Sequence, residues 1–193
     1  MYRHWSIQGA SAGRAVHIAP RGKHIAYEPL PHLYTYLLEH FPSVEIRQAA
    51  VSNEVGETSF MYVKNMPAES GFRERSHVGQ RETVKLKVRT EALDHSLPAG
   101  YVPTLIKIDV EGAERQVFEG ALETISRHKP VIIFEHGKGG APHYNTRPHH
   151  IYEMLNNEAG LRIFDLDGNG PYTLEQFVEA FELDERWDYV AHP

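Results

Sequence analysis

The sequence contains no cysteine. That excludes a disulfide scaffold and thiolate zinc sites, and it fits a reducing compartment, so a cytoplasmic location is expected. Long apolar runs are also missing. The longest clean one is Val131-Ile132-Ile133-Phe134, far short of the roughly 20 residues of a membrane-spanning helix. The first residues carry no continuous apolar segment of the secretory kind. An excess of positive charge is lacking too: 20 Lys plus Arg against 26 Asp plus Glu leave a net charge of −6. Backbone-driven nucleic-acid binding needs the opposite sign. Neither a membrane nor a nucleic acid is therefore expected as a partner.

What is present suits a folded domain. Apolar residues make up 41% and charged residues 24%, which argues against disorder and against a coiled coil. At roughly 100–200 residues per domain, the 193 residues are expected to form a single domain, 1–193. No internal repeat is visible. The unusual count is 13 histidines.

Along the chain, strands alternate with helices. Lys23–Tyr27 reads as a strand ending at Glu28-Pro29, and 31–41 as an amphipathic helix opened by Pro31. Val44–Val51 is the next strand. Glu57–Lys64 and Glu82–Thr90 alternate apolar with polar residues, as half-buried strands do. The polar stretch between them, 65–81, is expected to be a mobile loop. Thr104–Val110 is a buried-type strand, followed after Gly112 by one helix to about Lys129. Then come a strand at Pro130–Glu135, a Gly/Pro/His-rich loop over 136–147, a helix at 148–158, a strand at Leu161–Leu166, a helix at Leu174–Phe181 and a strand at Asp188–Ala191. This order predicts an α/β fold with a largely parallel sheet and helices on both faces. Ligands in such sheets bind at the carboxyl ends of the strands. The residues there are Glu28, Ser52, Asp109, Glu111, Glu135 and His136.

Two of these positions stand out on chemistry alone. An acidic residue at a strand end, as Glu28 is, can accept hydrogen bonds from both ribose hydroxyls; a solvated carboxylate is the plain alternative. Asp109 follows Leu105, Ile106 and Ile108 and is expected to be half buried. A buried carboxylate is costly unless paired. Glu114 and Glu111 need less explanation, because carboxylates favour a helix N-terminus.

The segments AYEP at 26–29, QAAVSNEVGETSF at 48–60, SGFRER at 70–75, LIKIDVEGAERQVFEGA at 105–121, PVIIFEH at 130–136 and RIFDLDGNG at 162–170 resemble FkbM-type methyltransferases. The resemblance runs from about Gly22 to the C-terminus. It implies a Rossmann-like methyltransferase fold and S-adenosylmethionine as cofactor. The activity implied is O-methylation of a hydroxyl on a sugar or natural product, with a small molecule or glycan as acceptor. By the same resemblance Glu28 holds the cofactor ribose, Ala50, Val51 and Ser52 lie near the adenine, and Asp109, Glu111 and His136 line the methyl-transfer side. Asp109 either faces the cofactor or holds the imidazole of His136, the first candidate base because histidine titrates near neutral pH.

The N-terminus departs from the family. Members open with a strand ending Asp-x-Gly-Ala-Asn-x-Gly; here Gly9-Ala10-Ser11-Ala12-Gly13 is the nearest match, with Ile7 in place of the aspartate. Only 14 residues separate Gly13 from Glu28, room for about two helical turns before the next strand. So the first strand and glycine-rich loop are either missing or shortened and altered, and 1–22 is a divergent or truncated cofactor-loop region. A flexible terminus is the competing reading of GASAG. An absent first strand would leave a sheet edge open, which makes a homo-oligomer one expectation. The departure also keeps two other functions in view: a non-catalytic Rossmann-like binding or interaction module, and a nucleotide-sugar-binding enzyme that needs no methyl donor.

Two patterns look like metal sites and are read otherwise. Asp165-Leu166-Asp167-Gly168-Asn169-Gly170 resembles a calcium loop, but its twelfth position is Gln176 and its lead-in is a strand. His136, His143, His149 and His150 are loosely spaced and form no helical pair at i, i+4. No metal site is expected. Arg73, Arg75 and Arg81 suit either an anionic or polyhydroxyl acceptor or a solvated loop.

Overall fold

The computed structural model describes residues 10–65, 70–73 and 82–193. They form two compact units. Those of the first lie within Met1–Ala50, Gly56–Phe72 and Val78–Thr90; those of the second lie within Val51–Val55, Arg73–His77 and Glu91–Pro193.

In the first unit, α1 (Ala10–Ile18) leads through a turn into β1 (His24–Tyr27), followed by α2 (Pro31–His40) and β2 (Val44–Arg47). Pro31 opens α2 because a first-turn residue needs no N–H partner and its fixed φ suits the helix. Leu33 and Leu37 lie one turn apart and are both buried. β1 and β2 pair in parallel, with Ala26 opposite Ile46. Leu37, Val44 and Ile46 form a core against which Ala12, Val16 and Phe41 pack. The stretch Ala10–Gly13 is helical. An added Cβ at Gly13 would lie 3.3 Å from the Phe41 ring, so small residues let α1 seat closely. Ile7 and Gly9 lie outside the described residues.

A three-stranded sheet has the order β3 (Ala50–Val51), β5 (Thr83–Glu91), β4 (Gly56–Val63). The expected strand 44–51 is thus two strands in two sheets. β4 and β5 are antiparallel, from Gly56 opposite Thr90 to Val63 opposite Thr83. Phe60 and Val88 point inward from them onto Leu30, Leu33 and Ala50. The 65–81 stretch is described only in part: Gly71 bridges to Met61, and the Glu82 N–H donates to Asn65 Oδ1 at 3.3 Å.

The second unit holds α3 (Leu93–Ser96) and a four-stranded sheet in the order β6 (Leu105–Ile108), β7 (Val131–Glu135), β9 (Asp188–His192), β8 (Arg162–Asp165). β6 and β7 are parallel, whereas β9 runs antiparallel to both its neighbours. The sheets are mixed, which corrects the expected largely parallel arrangement. The reason is local: 56–91 is a hairpin-type pair, and β9 returns between β7 and β8 in the opposite sense.

The single helix expected after Gly112 is two helices, α4 (Glu114–Glu119) and α5 (Leu122–His128). An added Cβ at Gly120 would lie 2.1 Å from the Ser52 carbonyl oxygen, so the break is where the backbone meets another segment. α5 is capped from outside: Asp94 accepts the Glu123 and Thr124 N–H groups at 3.1 and 2.8 Å. α6 (Pro148–Tyr152) continues into a π-helical turn over Glu153–Glu158. α7 (Leu174–Leu183) starts with a capping box in which Thr173 and Gln176 satisfy each other's N–H groups.

One face of the four-stranded sheet is buried. Phe134 meets Phe118 of α4 edge-on at 5.5 Å, and Tyr189 meets Phe177 of α7 at 4.9 Å. Ile132 and Tyr189 have no exposure at all, and burying each such side chain stabilises the fold by about 1.5–3 kcal/mol. On the opposite face the register partners Leu105 and Val131 are exposed, at 52% and 39%. Among the described residues, no helix is long and apolar enough to cross a membrane.

Candidate functional site

In the first unit, Glu28 sits just past β1. Its N–H donates to the Arg47 carbonyl at 3.0 Å, and its Oε1 accepts the Leu30 N–H at 2.8 Å. The carboxyl is half buried, and burial outweighs the Leu30 hydrogen bond to push its pKa up to about 7. A carboxyl held at a strand end in this state can accept or donate a hydrogen bond near neutral pH.

Of the residues expected near an adenine, Ala50 and Ser52 are buried. Ala50 belongs to the apolar cluster with Leu30 and Phe60. Val51 is half buried. Ser52, in the second unit, is buried; its N–H donates to the Glu91 carbonyl at 2.9 Å and its hydroxyl to Asn53 Oδ1 at 3.2 Å.

The second unit gathers carboxylates at the carboxyl ends of β6 and β7. Asp109 is exposed and paired with Lys107 at 2.6 Å. The expectation of a half-buried Asp109 is corrected. Strand residues two apart share a face, so Lys107 and Asp109 emerge together, opposite Ile108. Glu111 follows with φ +57° and Gly112 with φ +106°. A non-glycine residue in the left-handed region costs about 1–3 kcal/mol and is held there by its surroundings. The holding contact is visible: an added Cβ at Gly112 would lie 2.4 Å from the Gly140 carbonyl carbon. The loop after β6 and the loop after β7 are thus pressed backbone to backbone.

Glu114 folds back so that its Oε1 accepts the Gly112 N–H at 2.9 Å; it is 1% exposed, and its Oε2 has no hydrogen-bond partner. Burial, reinforced by Glu111 and Asp109, raises its pKa to about 7 against the pull of that hydrogen bond. Glu135 ends β7 half buried. Burial first, then the charges of Glu111, Asp109, Asp188 and Glu114, push it up to about 7. Asp188 opens β9 directly opposite Glu135, and burial also raises its pKa.

His136 stands at the carboxyl end of β7 with its side chain buried. It is 1% exposed, and its ring stacks on Phe177 and Phe181 at 5.8 and 5.0 Å. Neither ring nitrogen has a hydrogen-bond partner. Burial, and then His150, lower its pKa to about 4. Strand alternation carries on past Phe134, so position 136 turns to the core and 135 away from it.

Sequence reasoning placed Glu135 at a strand end and Glu114 at a helix start without giving either a role, and it did not single out Asp188. The signal for Glu135 was the alternation in PVIIFEH. The signal for Asp188 was absent, because it depends on β9 pairing with β7.

The metal-like patterns have structural explanations. Asp165 has no exposure; its Oδ1 accepts the Asp167 and Asn169 N–H groups, and its Oδ2 bonds Asn169 Nδ2 and Arg186. Burial works to raise its pKa, but the Asn169 bonds, Arg186 and the Asp167 N–H outweigh it and hold the carboxyl below its ordinary value. Among the described residues, no three His, Cys, Asp or Glu side chains converge closely enough to hold a metal ion. The Arg73 N–H donates to the Tyr144 hydroxyl at 3.3 Å; Arg75 and Arg81 lie outside the described residues.

The described residues form mixed α/β units with acidic residues at the carboxyl ends of parallel strands. The family is also defined. The model of the methyltransferase FkbM domain matches residues 9–163, starting at the first glycine of Gly-Ala-Ser-Ala-Gly, and the chain belongs to that family. The chain is similar in fold to the crystal structure of a methyltransferase FkbM from Methylobacillus flagellatus KT. The TM-score is 0.53 at 14% identity, over 95% of this chain and 40% of that one. The chain therefore spans about two-fifths of the length of that solved relative. No match was found among curated protein sequences.

Proposed function

We propose that the protein is an S-adenosylmethionine-dependent O-methyltransferase acting on a hydroxyl of a sugar or natural-product acceptor. The observation that carries this reading is the family match over 9–163. The residues fit the cofactor at one place directly: Glu28, half buried at the end of β1, offers a carboxylate for ribose hydroxyls. When bound, the cofactor supplies an electrophilic methyl group on sulfur.

The chain's own part is to bind, orient and take a proton. Glu28 accepts hydrogen bonds from the ribose. Asp109 and Glu111 line the acceptor side. The acceptor hydroxyl must lose a proton, and an effective base has a pKa near the working pH. Glu135, near 7 and half buried, meets that condition. His136 stands behind it, and its backbone N–H donates to the Trp187 carbonyl at 2.7 Å and fixes the strand end.

A non-catalytic binding module is the second reading. It is favoured by one observation, that the glycine-rich stretch is helical from Ala10 onward. Calorimetric titration with S-adenosylhomocysteine and adenosine, followed by methyl transfer to a panel of sugars, separates the two. Saturable S-adenosylhomocysteine binding with methyl transfer is expected. A folded protein that binds neither nucleoside overturns the enzyme reading.

A further inference from the structure

Trp187 precedes β9. The backbone N–H of His136 donates to its carbonyl at 2.7 Å, one step beyond the Glu135–Asp188 register pair. Trp187 therefore stands at the carboxyl end of β7, and it is 45% exposed.

Two contacts fix the ring. The indole N–H donates to Asp184 Oδ1 at 2.8 Å. Gly137 lies against the five-membered part of the ring, where an added Cβ would be 3.1 Å from Cγ and Cδ1, so a side chain at 137 would crowd the indole. The loop after β7 gives little else to cover it. Lys138 is tied to Glu182 of α7 at 3.0 Å, and the position of a Cβ on Gly139 is open space. The ring is thus held firmly and left open.

With its N–H already used, the indole offers a partner its π surface. That surface is the negative pole of the ring quadrupole and attracts C–H groups of partial positive charge. A wholly apolar partner does not suit the place. Asp184, Glu185 and Asp188 flank Trp187 in sequence, and covering charged groups without new hydrogen bonds is costly. A saturated ring with C–H groups on its face and hydroxyls around its edge meets both demands. A fixed aromatic side chain also supplies contact area at small entropic cost.

We propose that the Trp187 indole is a stacking platform for a pyranose ring, and thereby a specificity-determining group for the acceptor. The role toward an acceptor rests on the methyltransferase reading; the binding itself does not. A sugar seated there has its edge hydroxyls at the carboxyl end of β7, the strand that Glu135 ends.

The test uses the full chain. The sequence has two tryptophans, and the other, Trp5, lies outside the described residues. Trp5→Phe leaves the emission of Trp187 alone. This protein is titrated with methyl β-glucopyranoside, methyl α-mannopyranoside and methyl α-rhamnopyranoside. Sorbitol serves as the open-chain polyol and catechol as a flat aromatic. A saturable blue shift is expected with at least one pyranoside and none with sorbitol. By calorimetry, Trp187→Ala should bind that pyranoside about two- to tenfold more weakly, the range of an aromatic contact, and Trp187→Phe should lose less. Affinity for S-adenosylhomocysteine should not change in either variant. Melting temperature checks folding, and if Trp187→Ala does not fold, the emission shift decides alone. The platform is overturned by no shift with any pyranoside, by an equal shift with sorbitol, or by a shift with catechol only. It is also overturned if a folded Trp187→Ala binds the sugar as well as the parent does. A shift that follows protein concentration without sugar means that a second copy covers the ring, and overturns it too. Pyranoside binding that depends on Trp187, in a protein that binds no adenosyl ligand, keeps the platform and removes the methyltransferase reading. Adenosyl binding and methyl transfer without any dependence on Trp187 do the reverse.

Discussion

Glu135 and Asp188 face each other across the antiparallel pair of β7 and β9. Two carboxylates in that relation repel, and the sheet holds them together only because the apolar rows beside them are paired. Removing one charge should therefore stabilise the protein in the absence of ligand. Asp188→Asn is expected to gain about 0.2–1 kcal/mol, the range of a cross-strand pair, in urea unfolding at pH 8. The pH dependence has a definite sign. Glu135 titrates near 7 in the folded protein, against an ordinary 4.5. Its favourable contribution is complete below about 4.5 and is lost as the pH rises through 7. The gain from Asp188→Asn should accordingly shrink at pH 5.5, where Glu135 is protonated. A gain equal at both pH values would show that the two groups do not interact.

Glu28 tests the cofactor assignment by itself. Glu28→Ala should weaken S-adenosylmethionine binding by about 1.5–3 kcal/mol, as for loss of hydrogen bonds to a charged group. The variant also loses the bond from the Leu30 N–H, so its melting temperature is measured alongside. Unchanged affinity in a folded variant removes Glu28 from the ribose.

Gly112 and Gly140 are in backbone contact, and Gly112 is also in the left-handed region. Gly112→Ala forces the two loops apart. A loss of about 1–3 kcal/mol is expected, typical of overpacking, read as a lower denaturation midpoint. A neutral substitution would mean that the loops after β6 and β7 separate freely.

Much of this fold was legible because apolar spacing reports burial directly. The helix at Pro31 and the β7 strand both follow from local pattern. What was not legible depended on distant partners. Nothing near Gly120 announces that the Ser52 carbonyl will fill the space where a Cβ would go. Nothing near Glu123 announces that Asp94 will cap its helix. The site was half legible for a different reason. Residue type pointed to histidine as the base, while strand parity turns His136 inward and Glu135 outward. The same parity, applied at β6, puts Asp109 with Lys107 rather than with Ile108.

Asp165 organises the turn at 165–169 and ties it to Arg186. Its four acceptor bonds leave no capacity for an incoming cation. Micromolar calcium should leave the melting temperature unchanged. Asp165→Ala should cost about 2–4 kcal/mol, since it strands N–H donors that each carry about 1 kcal/mol or more. A calcium-dependent rise in melting temperature that vanishes in Asp165→Ala would reverse this reading.

His136 offers the sharpest separation of structure from chemistry. Its ring stacks on Phe177 and Phe181 with both nitrogens unpartnered. An orphaned buried polar group is unfavourable, and an apolar replacement of similar size removes that cost. His136→Leu is therefore expected to stabilise the protein at pH 7, by up to about 1–3 kcal/mol less the stacking it loses. The pH dependence runs opposite to that of Glu135. The folded pKa near 4 lies below the ordinary 6.5. The stability linked to neutral His136 is present above about 6.5 and lost as the pH falls through 4. Leucine cannot titrate, so the variant should lose less stability than the parent between pH 7 and 4.5. Activity gives the second readout. If Glu135 takes the acceptor proton, the acid limb of the kcat/KM profile stays near pH 7 in His136→Leu and is abolished in Glu135→Gln. If the limb follows His136 instead, the imidazole reaches the acceptor, and the assignment of the proton to Glu135 is wrong.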